Sequence, residues 1–186
     1  EKDATPLALM SFSTGLEQRA VDKLQRGLDA FADLPLHLVA TTGGIVEPSE
    51  LKPPRNAVVL RFAAHDPIIA RAALIVTHGG HGTAMRALKH GVPMILMPGL
   101  AHDQAGIAAL MQEWGVGIAM PGDAAFGAAG NAAAVSREDV VAALRAAAEK
   151  ILATQSYRRN AQARAAMLAG VDGAANAVTE IEALLS

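Results

Sequence analysis

Thr77-His78-Gly79-Gly80-His81-Gly82-Thr83 is the stretch of this chain best suited to chemistry. It follows an aliphatic run, Ala73 to Thr77, and opens a segment with helical spacing, Gly80 to His90. Three Gly in the four positions 79–82 let a ligand come close to the backbone. Free N–H groups and the positive end of a helix dipole at such a junction favour an anion, typically phosphate. Thr83 adds a hydroxyl, and His78, at the strand end, can donate from its ring. The turn is not a Walker A loop, since no Lys-Ser/Thr follows. Nor is it the dinucleotide fingerprint, because Met85 stands where the third Gly belongs. The alternative is a tight strand-to-helix turn with a hydrogen-bonded His.

The elements that must hold this turn alternate along the chain. Apolar runs at Pro6–Ser13, Leu36–Thr41, Asn56–Phe62, Ala73–Thr77, Pro93–Pro98 and Gly115–Met120 suit buried strands. Between them, Leu16–Phe31, Pro67–Arg71, Gly80–His90 and Gln104–Glu113 fit helices. Ser136 begins an S-x-x-D capping signal, and helices are expected over Ser136–Leu152, Ser156–Leu168 and Asp172–Leu185. The Gly- and Ala-rich stretch Pro121–Val135 reads as an irregular loop. Alternation with short links predicts a single α/β domain over 1–186. It is a Rossmann-like three-layer sandwich with a mostly parallel sheet and a helical C-terminal tail. Ligands of such sheets bind beyond the carboxyl ends of the strands. That directs attention to Ser13–Thr14, Thr41–Gly44, Phe62–His65, His78–Thr83 and Leu100–Gln104.

Composition excludes several classes. The chain has 186 residues, no Cys, and 16 basic against 18 acidic residues. The length supports a full core. A disulfide scaffold, a zinc ribbon and a cysteine nucleophile are all ruled out. A near-neutral balance argues against nucleic acid as the main partner. No apolar run reaches the roughly 18 residues of a membrane span. No basic-then-apolar leader is visible, so a cytoplasmic location is expected. The first residue is Glu1 rather than Met, as in a piece of something longer.

Thr77 to Thr83, then Gly91-Val92-Pro93, then Asp103-Gln104 together resemble the donor-binding half of the UDP-glycosyltransferase superfamily. The resemblance runs from Ser11-Phe12-Ser13-Thr14 to the last helix, and the order and spacing of the three motifs make it specific. It implies one half of a GT-B fold, with the acceptor-binding N-terminal domain lying outside this chain. It also implies an inverting transfer from a UDP- or dTDP-sugar to an acceptor hydroxyl, of bacterial natural-product type. His78, Gly79, Gly80, Gly82 and Thr83, with Ser13 and Thr14, would hold the diphosphate. His78 would stabilise the leaving group and not act as the base, which the resemblance assigns to the other domain. Phe62 stands where the family usually has Trp and would stack on the base, a contact worth about 1–3 kcal/mol. The Ala63 backbone would pair with the base edge, and His65 occupies the place of a frequent Gln. Asp103 and Gln104 would bond hydroxyls of the donor sugar. No metal or other cofactor is implied. Ala64 replaces a usual Pro. Arg86 replaces a Glu that grips the ribose, so that Arg86 either faces phosphate or ribose or lies on the helix surface.

Three rivals stand beside this reading. A metal site built from His78, His81, His90, His102 and Asp103 lacks any recognised ligand spacing. His81 and His90 lie nine residues apart on one helix, a poor match to a shared face. His81 is more simply a helix-start residue near the ligand, and His90 a C-terminal cap. A stand-alone donor-binding subunit of a two-polypeptide GlcNAc transferase would have this size. An enzyme like the UDP-GlcNAc 2-epimerase shares the architecture, but the Asp-Gln pair after Gly-Val-Pro favours the transferase. Trp114 and Met94, Met97 and Met111 read as packing residues. Val178, Ile181, Leu184 and Leu185 would leave an apolar stripe on the last helix, which favours a homodimer of a lone domain.

Overall fold

A computed structural model describes residues 5–12, 20–44, 46–99, 102–121 and 136–185. Six strands form one sheet: β1 (Leu7–Ser11), β2 (His37–Thr41), β3 (Ala57–Leu60), β4 (Ala72–Thr77), β5 (Met94–Leu96) and β6 (Gly117–Ala119). The order across the sheet is β3-β2-β1-β4-β5-β6, and every pairing is parallel. The seven helices among the described residues are α1 (Ala20–Phe31), α2 (His65–Ile69), α3 (His81–Lys89), α4 (His102–Glu113), α5 (Arg137–Ala153), α6 (Gln155–Leu168) and α7 (Gly173–Leu185).

The strands are aliphatic because helices cover both faces of the sheet. Successive side chains point to opposite faces. On one face Ala8, Met10, Leu74, Val76 and Ile95 pack with Leu24, Leu28 and Phe31 of α1 and Leu144, Ala148 and Ile151 of α5. On the other, Leu9, Ile75, Met94 and Leu96 pack with α3, α4 and α6. Each large side chain fully buried this way contributes about 1.5–3 kcal/mol. The packing roles expected of Met94, Met97, Met111 and Trp114 are observed, and Arg164 lies 4.3 Å over the Trp114 ring.

The expected elements are present with small shifts at their ends. α2 begins at His65 rather than Pro67. Pro67 falls in its first turn, where a missing N–H removes no intrahelical bond. Ser136 caps α5, its hydroxyl accepting from the Asp139 N–H at 3.0 Å. His90 stands at the C-terminal cap of α3, as expected. The Leu16–Ala20 part of the first expected helix and nearly all of the expected loop 121–135 lie outside the described residues or their side chains.

The sheet order reverses direction between β1 and β4, since the chain winds outward from β1 to β3 and then returns to lay β4 on β1's other side. Strand ends part at such a switch point and leave a crevice. The Gly-rich turn at 78–80 starts there, after β4.

Candidate functional site

Beyond the carboxyl ends of β1, β2 and β3 lies a cleft of about 480 Å³. That is within the range of about 300–1,000 Å³ usual for small-molecule sites. Ser11 and Phe12, Thr41 and Gly43, the segment Arg61 to Pro67, and Arg86 from α3 line it. Phe62, Ala63 and His65, which the sequence singled out as one segment, therefore share a cleft with Arg86. The Phe62 ring is 68% exposed, open enough to stack on a planar ligand. It lies against Gly44, where φ is +83° and an added Cβ would come within 2.8 Å of the ring's Cζ. Gly44 is thus needed both for its backbone conformation and for the space the aromatic occupies.

The inner wall of the cleft is polar. Ser11 and Thr41 are buried at the last positions of β1 and β2, their hydroxyls 2.9 Å apart. The Thr41 Oγ1 also lies 3.2 Å from the His65 Nε2. Burial lowers the His65 pKa from its ordinary value; Arg86 lowers it further and Asp66 works against them. The imidazole is held towards its neutral form, in which one ring nitrogen donates and the other accepts. Arg86 reaches within 3.8 Å of Asp66, both side chains being exposed. Arg86 lies on the exposed surface of α3 at the edge of the cleft.

The Gly-rich turn occupies the other side of the switch point. Gly79 has a φ of +86°, and an added Cβ would meet the Gln104 carbonyl oxygen at 3.2 Å. Gly80 is the N-cap of α3 and, being glycine, supplies no side-chain cap. A Cβ on Gly80 would overlap the His78 ring. The glycines thus bring the half-buried His78 ring directly over the start of α3. His81 and Gly82 are exposed there, and Thr83 is half-buried. The first N–H groups of a helix, which have no intrahelical acceptor, favour an anion.

Asp103 and Gln104 begin α4, after β5. Asp103 is exposed. Gln104 is buried, and its side-chain oxygen accepts from the Gly99 N–H at 2.6 Å. The amide oxygen is therefore engaged in holding the β5–α4 connection, and the side-chain NH2 is what it has left to offer a ligand. Ser13 and Thr14 lie outside the described residues. Among the described residues, no three His, Asp or Glu side chains converge as a metal site would need. Sequence reasoning missed Ser11, Arg61 and Asp66 in the cleft. Each is an ordinary polar residue in its local pattern, and only strand order brings it to the site.

Residues 20–118 match the model of the glycosyltransferase family 28 C-terminal domain, more than half of the chain. The chain belongs to this family. The resemblance read from the sequence is thereby borne out. The family 28 domain is 33% identical over 105 residues to the demethyllactenocin mycarosyltransferase of Streptomyces fradiae, a match covering 56% of this chain and 23% of that protein. It is 24% identical to an NDP-glycosyltransferase of Bacillus subtilis over 100% of this chain and 43% of that protein. The crystal structure of a calicheamicin glycosyltransferase superposes with a TM-score of 0.78 at 26% identity, over 97% of this chain and 42% of that one. The family 28 domain thus spans less than half the length of these relatives.

Proposed function

We propose that this domain is the donor half of an inverting glycosyltransferase that takes a UDP- or dTDP-sugar without a metal ion. What carries the reading is the pairing of two sites across one switch point. A nucleoside-sized cleft lies beyond β1–β3, and a Gly-rich helix start lies beyond β4. A nucleoside in the cleft, its base stacked on Phe62 and its edge on the Ala63 backbone, directs its diphosphate across the switch point to His78 and the first turn of α3. Asp103 and Gln104 follow on the next strand end, where the sugar would lie.

In the proposed reaction the acceptor oxygen bonds to the anomeric carbon from the face opposite the diphosphate, and the bond from that carbon to the diphosphate oxygen breaks. The electron pair and negative charge pass to the diphosphate, and the acceptor's proton passes to a base outside these 186 residues. His78 and the α3 N–H groups stabilise the growing charge, a role in which one donor is worth roughly 3–4 kcal/mol. This chain alone is expected to bind the donor and turn over very slowly or not at all. A core built without Cys needs no oxidising compartment, which fits a cytoplasmic enzyme. No helix among the described residues is long and apolar enough to cross a membrane.

The test is calorimetric titration of the chain with UDP and with dTDP in EDTA, beside His78→Ala. Binding that survives EDTA and weakens at least tenfold in the variant is the expected result, and the tighter nucleotide identifies the base. No binding of either to the folded chain would overturn the reading. Binding abolished by EDTA would point to a metal.

A further inference from the structure

Asp66 and Arg86 meet at the edge of the cleft from two different elements. Asp66 stands in the first turn of α2, directly after the segment that carries Phe62 and Ala63. Arg86 stands on α3, the helix that the Gly-rich turn opens. The Arg86 Nε lies 3.8 Å from an Asp66 carboxylate oxygen, and both side chains are more than half exposed. Both residues line the cleft. The pair therefore joins the element that follows the base platform to the element that begins at the diphosphate turn. In a nucleoside diphosphate the pentose lies between base and diphosphate. Pentose hydroxyls need acceptors, and the cleft side chains differ in what they can give. Arg61 and Arg86 only donate, and Arg61 is already bonded to Glu47. The Ser11 and Thr41 hydroxyls are buried and engaged with each other and with His65. Asp66 is the sole carboxylate among the described residues that line the cleft. The approach of Arg86 is too long for a hydrogen bond, so it balances the charge without occupying a lone pair.

We propose that Asp66 recognises the pentose of the nucleotide, accepting from its hydroxyls, and that Arg86 is a positioning residue for Asp66. The carboxylate takes both hydroxyls of a ribose, or the single 3′-hydroxyl of a deoxyribose. A bare carboxylate would repel a diphosphate one pentose away. Arg86 offsets that charge and draws the carboxylate to the cleft edge. An ion pair this exposed adds little to stability, so either partner can be replaced without unfolding the chain. The proposal rests on the donor-site reading above.

The experiment titrates the 186-residue chain calorimetrically with UDP and with 2′,3′-dideoxyuridine diphosphate, which differs only in lacking those hydroxyls. Wild type is expected to bind UDP roughly fivefold or more tightly than the dideoxy ligand, since a site built to bond a hydroxyl discriminates against its absence. In Asp66→Ala the two ligands should bind within about twofold of each other, through a loss of UDP affinity alone. Arg86→Met should narrow the wild-type preference, and in the Asp66→Ala background it should not change the ratio further, because the two residues act as one unit. A wild type that binds both ligands equally, or an Asp66→Ala chain that keeps the full preference, would overturn the proposal while leaving the donor site standing. An Arg86→Met chain with the full preference would overturn the positioning role. Failure of the wild type to bind either ligand would overturn the donor-site reading as well.

Discussion

His65 ends a row of polar groups that runs from two strands to a helix. Ser11, Thr41 and His65 follow one another at 2.9 and 3.2 Å, from the end of β1 to the start of α2. The row ties the ring's ionisation to the fold. Burial first, and then Arg86, lowers the folded-state pKa, while Asp66 opposes them. An unfolded chain, with His near its ordinary value of about 6.5, therefore binds the proton more readily than the folded one. Where the unfolded state holds more protons, stability rises with pH. The contribution of His65 is then fully present above about pH 6.5 and is lost as pH falls from there towards the folded pKa. Urea midpoints measured between pH 7.5 and 5 should fall less steeply for His65→Gln than for wild type, and parallel curves would refute the assignment. The sequence led to His65, Phe62 and Ala63 through a family resemblance. Thr41 was marked only as a strand-end position and Ser11 not as a site residue at all, because a hydroxyl closing an aliphatic strand looks the same whichever strand lies beside it. Gln104 was legible by position but not by environment. Its engagement with Gly99 depends on a backbone turn that no spacing encodes.

At the level of elements, strands covered on both faces are conspicuous, since each must be continuously apolar, and β1, β4 and β5 were plain for that reason. The partly exposed β3 was found through Pro53 and Pro54 leading into it as much as through its own side chains. The ties between elements were not legible. Asn56, just before β3, donates from one side-chain nitrogen to the carbonyls of Phe31, Leu34 and Leu36, at 2.9, 3.1 and 3.2 Å. It thereby ties the end of α1 to the turn into β2, adding to the backbone bonds that the Phe31 and Leu34 carbonyls accept from the Leu34 and Leu36 N–H groups. By sequence Asn56 is merely the first residue of the third expected strand. Asn56→Ala removes the side-chain donor from those carbonyls in a partly buried setting and should cost about 1–3 kcal/mol. Equilibrium urea unfolding measures this directly. A change below about 0.5 kcal/mol would mean that water replaces the amide without loss.

Across the whole molecule, two cores share one sheet, and α7 belongs to neither. No residue of α7 is buried, and Val178, Ile181, Leu184 and Leu185 are 53, 57, 85 and 84% exposed. The 3.6-residue pattern correctly revealed both the helix and its apolar stripe. It could not show that the stripe stays exposed among the described residues, because periodicity marks a face and not the surface that covers it. Apolar side chains that stay in water gain no burial energy, so α7 adds little to the stability of the cores. For a domain of this size 1 kcal/mol moves Tm by about 2–4 °C. A chain ending at Gly170 should therefore melt within about 4 °C of the full 186 residues in a calorimetric scan. The same truncation should reduce concentration-dependent association in sedimentation velocity, since an exposed apolar stripe drives self-contact. A fall in Tm well beyond 4 °C would show that α7 packs on the domain in solution, and unchanged association would show that its stripe is not the contact surface.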